Sequence, residues 1–445
     1  MRAVLFDQPG DPEVLYVGEA PAPACGPEEV RIAVAATAVN RADLMQRRGL
    51  YPPPKGASAI LGLEAAGRIS ELGSAVAGRF TLGQPVMALL AGGGYAEEVV
   101  VPHGQVMPIP AGLSEEQAAA IPEVFLTAFL NLFILSGLRF PERGAAGRSV
   151  LVHGGASGVG SAALQLLKAA GATALCTVGS DDRIASCLEL GASAAFCYRT
   201  TDFVAATQAA TQGQGADVVL DCVGGSYLER NLRALAPDGR LICIGLQGGS
   251  RAELDLGLLL SRRLQVIGST LRALPLERKA ALVRAFSEQA LPLFASGALR
   301  PVIDRVLPLG AAAEAHRALD QHHVGKVVLR LRALLRRTGV TTEDSGAQIV
   351  VGDLVLDEDS HEVTRAGDPI TLTSTEFELL RFMMRNSKRV LSKAQILDRV
   401  WSYDFGGRSN IVELYISYLR KKIDSGREPM IHTLRGAGYV LKPAA

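Results

Sequence analysis

The stretch "RSVLVHGGASGVGSAALQLLKAAG", residues 148–171, decides the fold. A short apolar run from Val150 to His153 passes into a loop of small residues, then into an amphipathic helix closed by Gly171. Glycines between a strand and a helix let the backbone approach a pyrophosphate, and the helix N-terminus adds free N–H groups and the positive end of its dipole. The loop Gly155, Ala156, Ser157, Gly158, Val159, Gly160 is therefore the candidate cofactor cradle. Its glycines depart from the usual GxGxxG spacing, so a purely structural tight turn is the competing reading.

Working outward, the next strand, "TALCTV", ends at Gly179 and Ser180, where an NAD site usually places an acid for the ribose 2′-hydroxyl. Small residues followed by a cation, Arg183, suit a 2′-phosphate, so the pattern favours NADPH over NADH, with Asp181 and Asp182 turned to solvent. "ADVVLDCVGG" (216–225) and "GRLICIGLQGG" (239–249) are further strand-and-turn units. Strands alternating with helical stretches predict a parallel sheet covered on both faces.

The chain has 445 residues, enough for roughly three cores of ~100–150 residues. With 48% hydrophobic and 20% charged residues it is not a disordered chain. No apolar run approaches the ~20 uncharged residues that span a bilayer. The start, "MRAVLFDQPGDPEVL", lacks the pattern of a signal peptide, so a cytoplasmic protein without membrane partners is expected. The six cysteines form no CxxC pair and read as buried inert thiols. His316, His322 and His323 have no carboxylate or cysteine partner at ligand spacing, so they read as a polar helix end and no metal site is expected. Net charge is +1, but residues 349–378 hold eight Asp/Glu against one Lys/Arg, and residues 399–442 hold eight Lys/Arg against four Asp/Glu. That polarity makes a nucleic-acid-facing surface a candidate in the C-terminal third.

Residues 1–330 resemble the quinone oxidoreductase (zeta-crystallin-like) branch of the medium-chain dehydrogenase/reductases. The stretches that carry it are "NRADLMQRRGLYPPP", "ILGLEAAGRI", "AAAIPEVFLTAF", "HGGASGVGSAALQL", "LDCVGGSYLERN" and "GKVVL". The resemblance implies a GroES-like β-rich domain interrupted by a Rossmann domain, with the cofactor in the cleft between them. Zinc-dependent relatives carry an early Cys and a Gly-His-Glu, whereas "AVNRADLM" has no Cys and Leu63 stands in place of the His. A zinc-free enzyme is expected, one that polarises a carbonyl with hydrogen bonds and not a Lewis acid. The resemblance places Asn40 and Tyr51 toward the substrate, Thr127 near the nicotinamide, Arg183 and Tyr198 on the 2′-phosphate and Leu246 beside the cofactor. It implies hydride transfer from NADPH to a quinone or another conjugated carbonyl, with Asn40 or Tyr51 steadying the oxyanion. On the residues alone, Tyr51 in "YPPPKG" also reads as a turn residue, and Asn40 as a buried, satisfied amide.

Beyond residue 348 the pattern changes. "TLTSTEFELLRFMMRNS" (371–387) is a helix opened by a capping box of Thr373 and Glu376. "SKAQILDRVW" and "SNIVELYISYLRKKID" follow as second and third helices, then "MIHTLRGAGYVL" as two short strands. Acidic strand-like segments, three helices and a hairpin describe a winged helix-turn-helix. Asn410, Ile411, Glu413 and Tyr415 lie where a groove-docking helix reads base edges, and Arg420, Lys421 and Lys422 where it holds phosphates. Arg435 sits at the wing, facing a minor groove. The competing reading of the basic run is a solvated helix end.

These residues resemble the effector domain of OmpR/PhoB-type response regulators, the PhoP-like ones above all, through "LTSTEFELLRF", "VLSKAQILDRVWSYDFGG", "NIVELYISYLRKKID" and "HTLRGAGYVL". The resemblance implies double-stranded DNA as a partner, with Arg408 among the DNA contacts and RNA polymerase met through 401–408. In that family "RALLRR" is the usual end of the last receiver helix, so the seam after "GKVVL" looks like a receiver replaced by a reductase. The expected fold is α/β: a GroES-like domain (1–124 and 268–330), a Rossmann domain (125–267), a helix remnant and linker (331–347) and a winged helix (348–442). Three functions stay open: a reductase whose cofactor state biases DNA binding, a reductase with a non-regulatory appendage, and a regulator that senses ligand without turnover. Relatives of both parts often form dimers, so a homodimer, nucleoid-associated when bound to DNA, is expected.

Overall fold

The computed structural model describes residues 1–76, 78–140, 144–321, 323–331, 348–357, 362–370, 372–400, 411–434 and 438–443. The chain forms two units, Met1–Ala333 and Leu334–Ala445. The "RALLRR" segment and the linker lie outside the described residues, as do the loop 401–408, expected to meet RNA polymerase, with Arg408, and also Asn410, Arg435 and His322.

In the first unit the apolar runs pair into two sheets. One is a six-stranded parallel sheet in the order Ala194–Cys197, Thr173–Val178, Ser149–His153, Ala216–Asp221, Leu235–Cys243, Gln265–Gly268. Strand order reverses beside Ser149–His153, and that switch point opens a crevice at the carboxyl ends of the strands. The other is a mostly antiparallel, seven-stranded sheet built on the long strand Glu29–Val39. The chain returns to it late: Lys326–Arg330 pairs antiparallel with Glu29–Val39, and Ile303–Pro308 lies beside it. The β-rich part is therefore discontinuous in sequence, with the parallel sheet inserted between its pieces.

Between the sheets runs an apolar helical stretch, Glu115–Leu135, long and apolar enough by composition to cross a membrane. It includes charged Glu115, Glu116 and Glu123, which hid its apolar length from a search for uncharged runs. Most of it is buried inside the fold. Phe125 and Phe129 on it pack against Phe286, at 6.5 and 5.6 Å between ring centroids, and form the centre of the core.

The second unit opens with a four-stranded antiparallel sheet, Gln348–Val351 to Asp368–Ile370. Helices Ser374–Arg385, Lys393–Val400 and Ile411–Ile423 follow, then the hairpin Ile431–Leu434 with Gly438–Leu441. The Thr373–Glu376 capping box forms: Thr373 N–H donates to Glu376 Oε2 and Glu376 N–H to Thr373 Oγ1. Leu379, Leu380, Met383, Ile396, Ile416 and Leu419 make the core of this unit.

Candidate functional site

The glycine loop has the close geometry its sequence implied. Ser157 caps helix Gly158–Ala170, accepting from Gly160 N–H at 3.1 Å. A Cβ on Gly155 would lie 2.6 Å from Cys176 Sγ, one on Gly160 2.1 Å from Gly154 O, and one on Gly158 2.8 Å from Lys326 Cδ. A side chain at Gly155 would push the loop off the strand Thr173–Val178, one at Gly160 would collide with the loop's own backbone, and one at Gly158 would press on Lys326 and Val124. Ala156 is buried; Val159 is half-buried on the first helical turn.

At the end of the neighbouring strand, Ser180 Oγ is covered and has no hydrogen-bond partner among the described residues. Arg183 follows within the turn Asp181–Arg183, and both aspartates point outward, exposed. Tyr198 lies across from Gly179, its hydroxyl 3.4 Å from where a Cβ would stand there. Leu246 is 61% exposed at the end of the Leu235–Cys243 strand. An orphaned hydroxyl, a cation, an exposed phenol and a cradle with no room for side chains fit a dinucleotide with its pyrophosphate on the loop.

Next to the loop lies a buried polar network that the sequence did not reveal. Lys326 Nζ donates to Val39 O at 3.0 Å and to Asn40 Oδ1 at 2.5 Å, and stands 2.7 Å from Glu64 Oε1; both charged side chains are buried. Asn40 Nδ2 donates to Glu64 Oε1 at 2.9 Å and to Ala38 O at 3.2 Å. Both amide hydrogens and the amide oxygen of Asn40 are thus engaged within the protein. This corrects the expectation of Asn40 as an oxyanion donor: it is a satisfied buried amide that orients its neighbours. Glu64 Oε2 accepts Glu123 N–H at 2.9 Å.

Tyr51 is half-buried, with the Arg272 guanidinium carbon 5.3 Å from its ring centroid. Burial pushes the Tyr51 phenol above its usual range, and the Arg272 charge opposes the shift. Arg272 is itself buried, held by Ala91 O and Gln46 Oε1, while its Nη1 has no partner among the described residues. Thr127 is half-buried on helix Pro122–Phe129. His316 is no polar helix end: it is fully buried, with its ring 3.1 Å from Tyr95 Oη and 3.0 Å from Arg47 Nη1. Burial and the two nearby arginines hold it neutral down to about 3.

In the second unit, helix Ile411–Ile423 buries Val412, Ile416, Leu419 and Ile423, so phase alone exposes Leu414, Ser417, Tyr418 and Lys421. Ile411 and Tyr415 are half-buried. Arg420 donates to Ile431 O and to Thr433 Oγ1 at 2.8 Å, bracing the helix on the hairpin. Lys422 pairs with Glu376 at 2.7 Å, and Glu413 pairs with Lys393 of the preceding helix. The exposed stripe, not the first two turns as a block, is what the helix offers outward. The 3.6-residue period carried that signal in the sequence.

Comparison with known proteins agrees with this division. A GroES-like alcohol dehydrogenase family matches residues 26–111, a zinc-binding dehydrogenase family residues 158–288, and the C-terminal family of transcriptional regulatory proteins residues 367–441. The synaptic vesicle membrane protein VAT-1 homolog of Rattus norvegicus is 32% identical over 324 residues, covering 69% of this chain and 78% of its own length. The transcriptional regulatory protein TcrX of Mycobacterium tuberculosis is 77% identical over 154 residues. That match covers 35% of this chain, which spans 65% of the regulator's length. The structure of Escherichia coli quinone oxidoreductase complexed with NADPH is 29% identical with a TM-score of 0.66, covering 74% of this chain and all of that one. The residues at hand do not fit zinc, despite the family's description: buried Leu63 offers no ligand atom, and the Lys326 ammonium already neutralises Glu64.

Proposed function

We propose a function from one premise: the chain belongs to the quinone-oxidoreductase-like medium-chain dehydrogenase/reductases and carries an OmpR-type DNA-binding domain at its C-terminal end. It is an NADPH-dependent reductase of quinones and conjugated carbonyls, and its cofactor state biases binding of its winged helix to double-stranded DNA. The observation that carries the first half is the pairing of a glycine cradle without room for any Cβ with the covered Ser180 hydroxyl next to Arg183. Gly155, Gly158 and Gly160 hold the pyrophosphate; Ser180, Arg183 and Tyr198 hold the 2′-phosphate. Leu246 gives the exposed lip of the cleft an apolar surface. When bound, the cofactor supplies hydride.

The chain's own groups do the rest. Lys326 and Glu64 fix Asn40 and the start of the helix bearing Thr127. Tyr51, with the Arg272 charge behind it, stabilises the negative charge that develops on the carbonyl oxygen. In the DNA-binding unit the exposed stripe of Leu414, Ser417, Tyr418 and Lys421, with Ile411 and Tyr415 at its flank, meets the major groove, while Glu413 acts through Lys393. Arg420 and Lys422 position the helix against the hairpin and the first helix. Exposed Leu256, Leu260 and Val266 at the edge of the parallel sheet suit a second copy of the chain. The test is oxidation of NADPH and of NADH by the full chain with a panel of quinones and enones. Turnover preferring NADPH is expected; tight NADPH binding without turnover on any acceptor contradicts the reading.

A further inference from the structure

Reducing a quinone or a conjugated carbonyl adds a proton as well as a hydride, and the residues assigned so far do not supply that proton. Asn40 has none to give, and Tyr51 is there to hold negative charge. A carboxyl outside that assignment lies beside them. Glu123 opens helix Pro122–Phe129, one turn before Thr127 and so on the same face of that helix. Its N–H is held by Glu64 Oε2, and the next residue, Val124, packs against the glycine loop, its Cγ1 3.0 Å from where a Cβ on Gly158 would stand. The residue is half-buried, but its Oε2 is sealed from solvent and has no hydrogen-bond partner among the described residues.

We infer that Glu123 is the proton donor of the reductase, a role that rests on the reductase reading above. A covered carboxyl oxygen without a partner is costly as a structural element, but suits a group whose partner arrives with the substrate. The groups facing it are Glu64, Asp43, Lys326 and Lys279, with Tyr51 and Arg272 also within its field. Burial first, then the Glu64 charge, push its carboxyl up to about 8 against the pull of Lys326 and Lys279, so it carries its proton at neutral pH. Addition of hydride at one end of the conjugated system leaves an electron pair at the other. The Glu123 O–H bond breaks and its proton goes to the enolate carbon, or to the quinol oxygen. Glu123 is left as a carboxylate, which takes a proton from water once product leaves.

The experiment compares the full chain with its Glu123→Gln variant, which keeps the shape and the backbone bond to Glu64. NADPH affinity, followed by fluorescence titration, is expected to stay unchanged. Quinone and enone turnover is expected to fall by ~10²–10⁴-fold. The wild-type rate declines as pH rises through about 8, and the variant shows no such inflection. Independently of turnover, the infrared band of a protonated buried carboxyl should be present near about pH 7, where Asp43 is already mostly ionised, vanish near about pH 9.5, and be missing in Glu123→Gln. Wild-type turnover with an equally active variant of the same pH profile overturns the donor role alone. A wild type that binds NADPH but reduces neither acceptor overturns the reductase reading, and the donor role with it.

Discussion

Replacing Lys326 by methionine keeps most of the stem that packs on Gly158 but removes the ammonium that three acceptors share. Val39 O and Asn40 Oδ1 lose their donor, and Glu64, fully buried, is left without its counter-charge. Removing one partner of such a pair costs about 3–5 kcal/mol, because the other charge stays desolvated. Against a typical total of about 5–15 kcal/mol this is a large fraction. With a slope of about 3 kcal/mol/M it lowers the urea midpoint of the first unit by roughly 1–1.7 M. Far-UV circular dichroism through a urea titration of the full chain measures it, the second unit serving as an internal reference. Lys326→Met combined with Glu64→Leu should recover part of the loss, since no unpaired charge then remains buried. A single variant that loses less than ~1 kcal/mol, or a double no better than the single, refutes the view that this pair organises the cleft.

Three further outcomes are expected. Arg183→Ala should weaken NADPH binding by ~10–100-fold, the worth of a charge-assisted hydrogen bond to phosphate, and leave NADH affinity unchanged by isothermal titration. Burial holds His153, between Thr177 and Asn231, neutral down to about 4. Its folded value lies below its unfolded one, so its contribution is complete above about 6.5 and is lost as pH falls toward 4, up to about 3 kcal/mol. The urea-stability gap between wild type and His153→Gln should therefore narrow over that window, and this comparison removes the opposite slopes of Asp43 and Glu123, whose values are raised to about 6 and 8. Arg365, buried, ties strand Glu362–Arg365 to the end of helix Ile411–Ile423 through Ile423 O, Asp424 and Glu428 O. Arg365→Met should cost the second unit about 3 kcal/mol or more and weaken DNA binding, read by thermal melting and fluorescence anisotropy.

What the sequence disclosed follows the range of the forces involved. The glycine loop, the Thr373 capping box and the three-helix pattern are set by residues within a few positions of one another, and all were legible. The Lys326 network was not. The lysine lies 286 residues from Asn40, and nothing in "GKVVL" says that its ammonium is buried. His316 was misplaced for the same reason, since Arg47 and Tyr95 reach it only after the late strands fold back onto the β-rich sheet. The buried helix Glu115–Leu135 was obscured by Glu123, a charge that reads as surface until Glu64 and the lysines are placed around it. On helix Ile411–Ile423 the 3.6-residue period is present in the sequence, and this phase, not a place in the first turns, leaves Ser417 and Tyr418 exposed.

Whether the cofactor site and the winged helix share an equilibrium is read from the affinity of the full chain for DNA selected from a random pool, at one fixed salt concentration, with and without NADPH. Salt is held constant because phosphate contacts make any such affinity salt-dependent. A discrete selected motif is expected, with a several-fold shift in its affinity on adding NADPH, about 1 kcal/mol or more of coupling, matched by an equal effect of that DNA on NADPH affinity. Selection of a motif whose affinity is the same with and without NADPH would contradict that coupling, leaving a reductase and a DNA-binding domain that share a chain but no equilibrium.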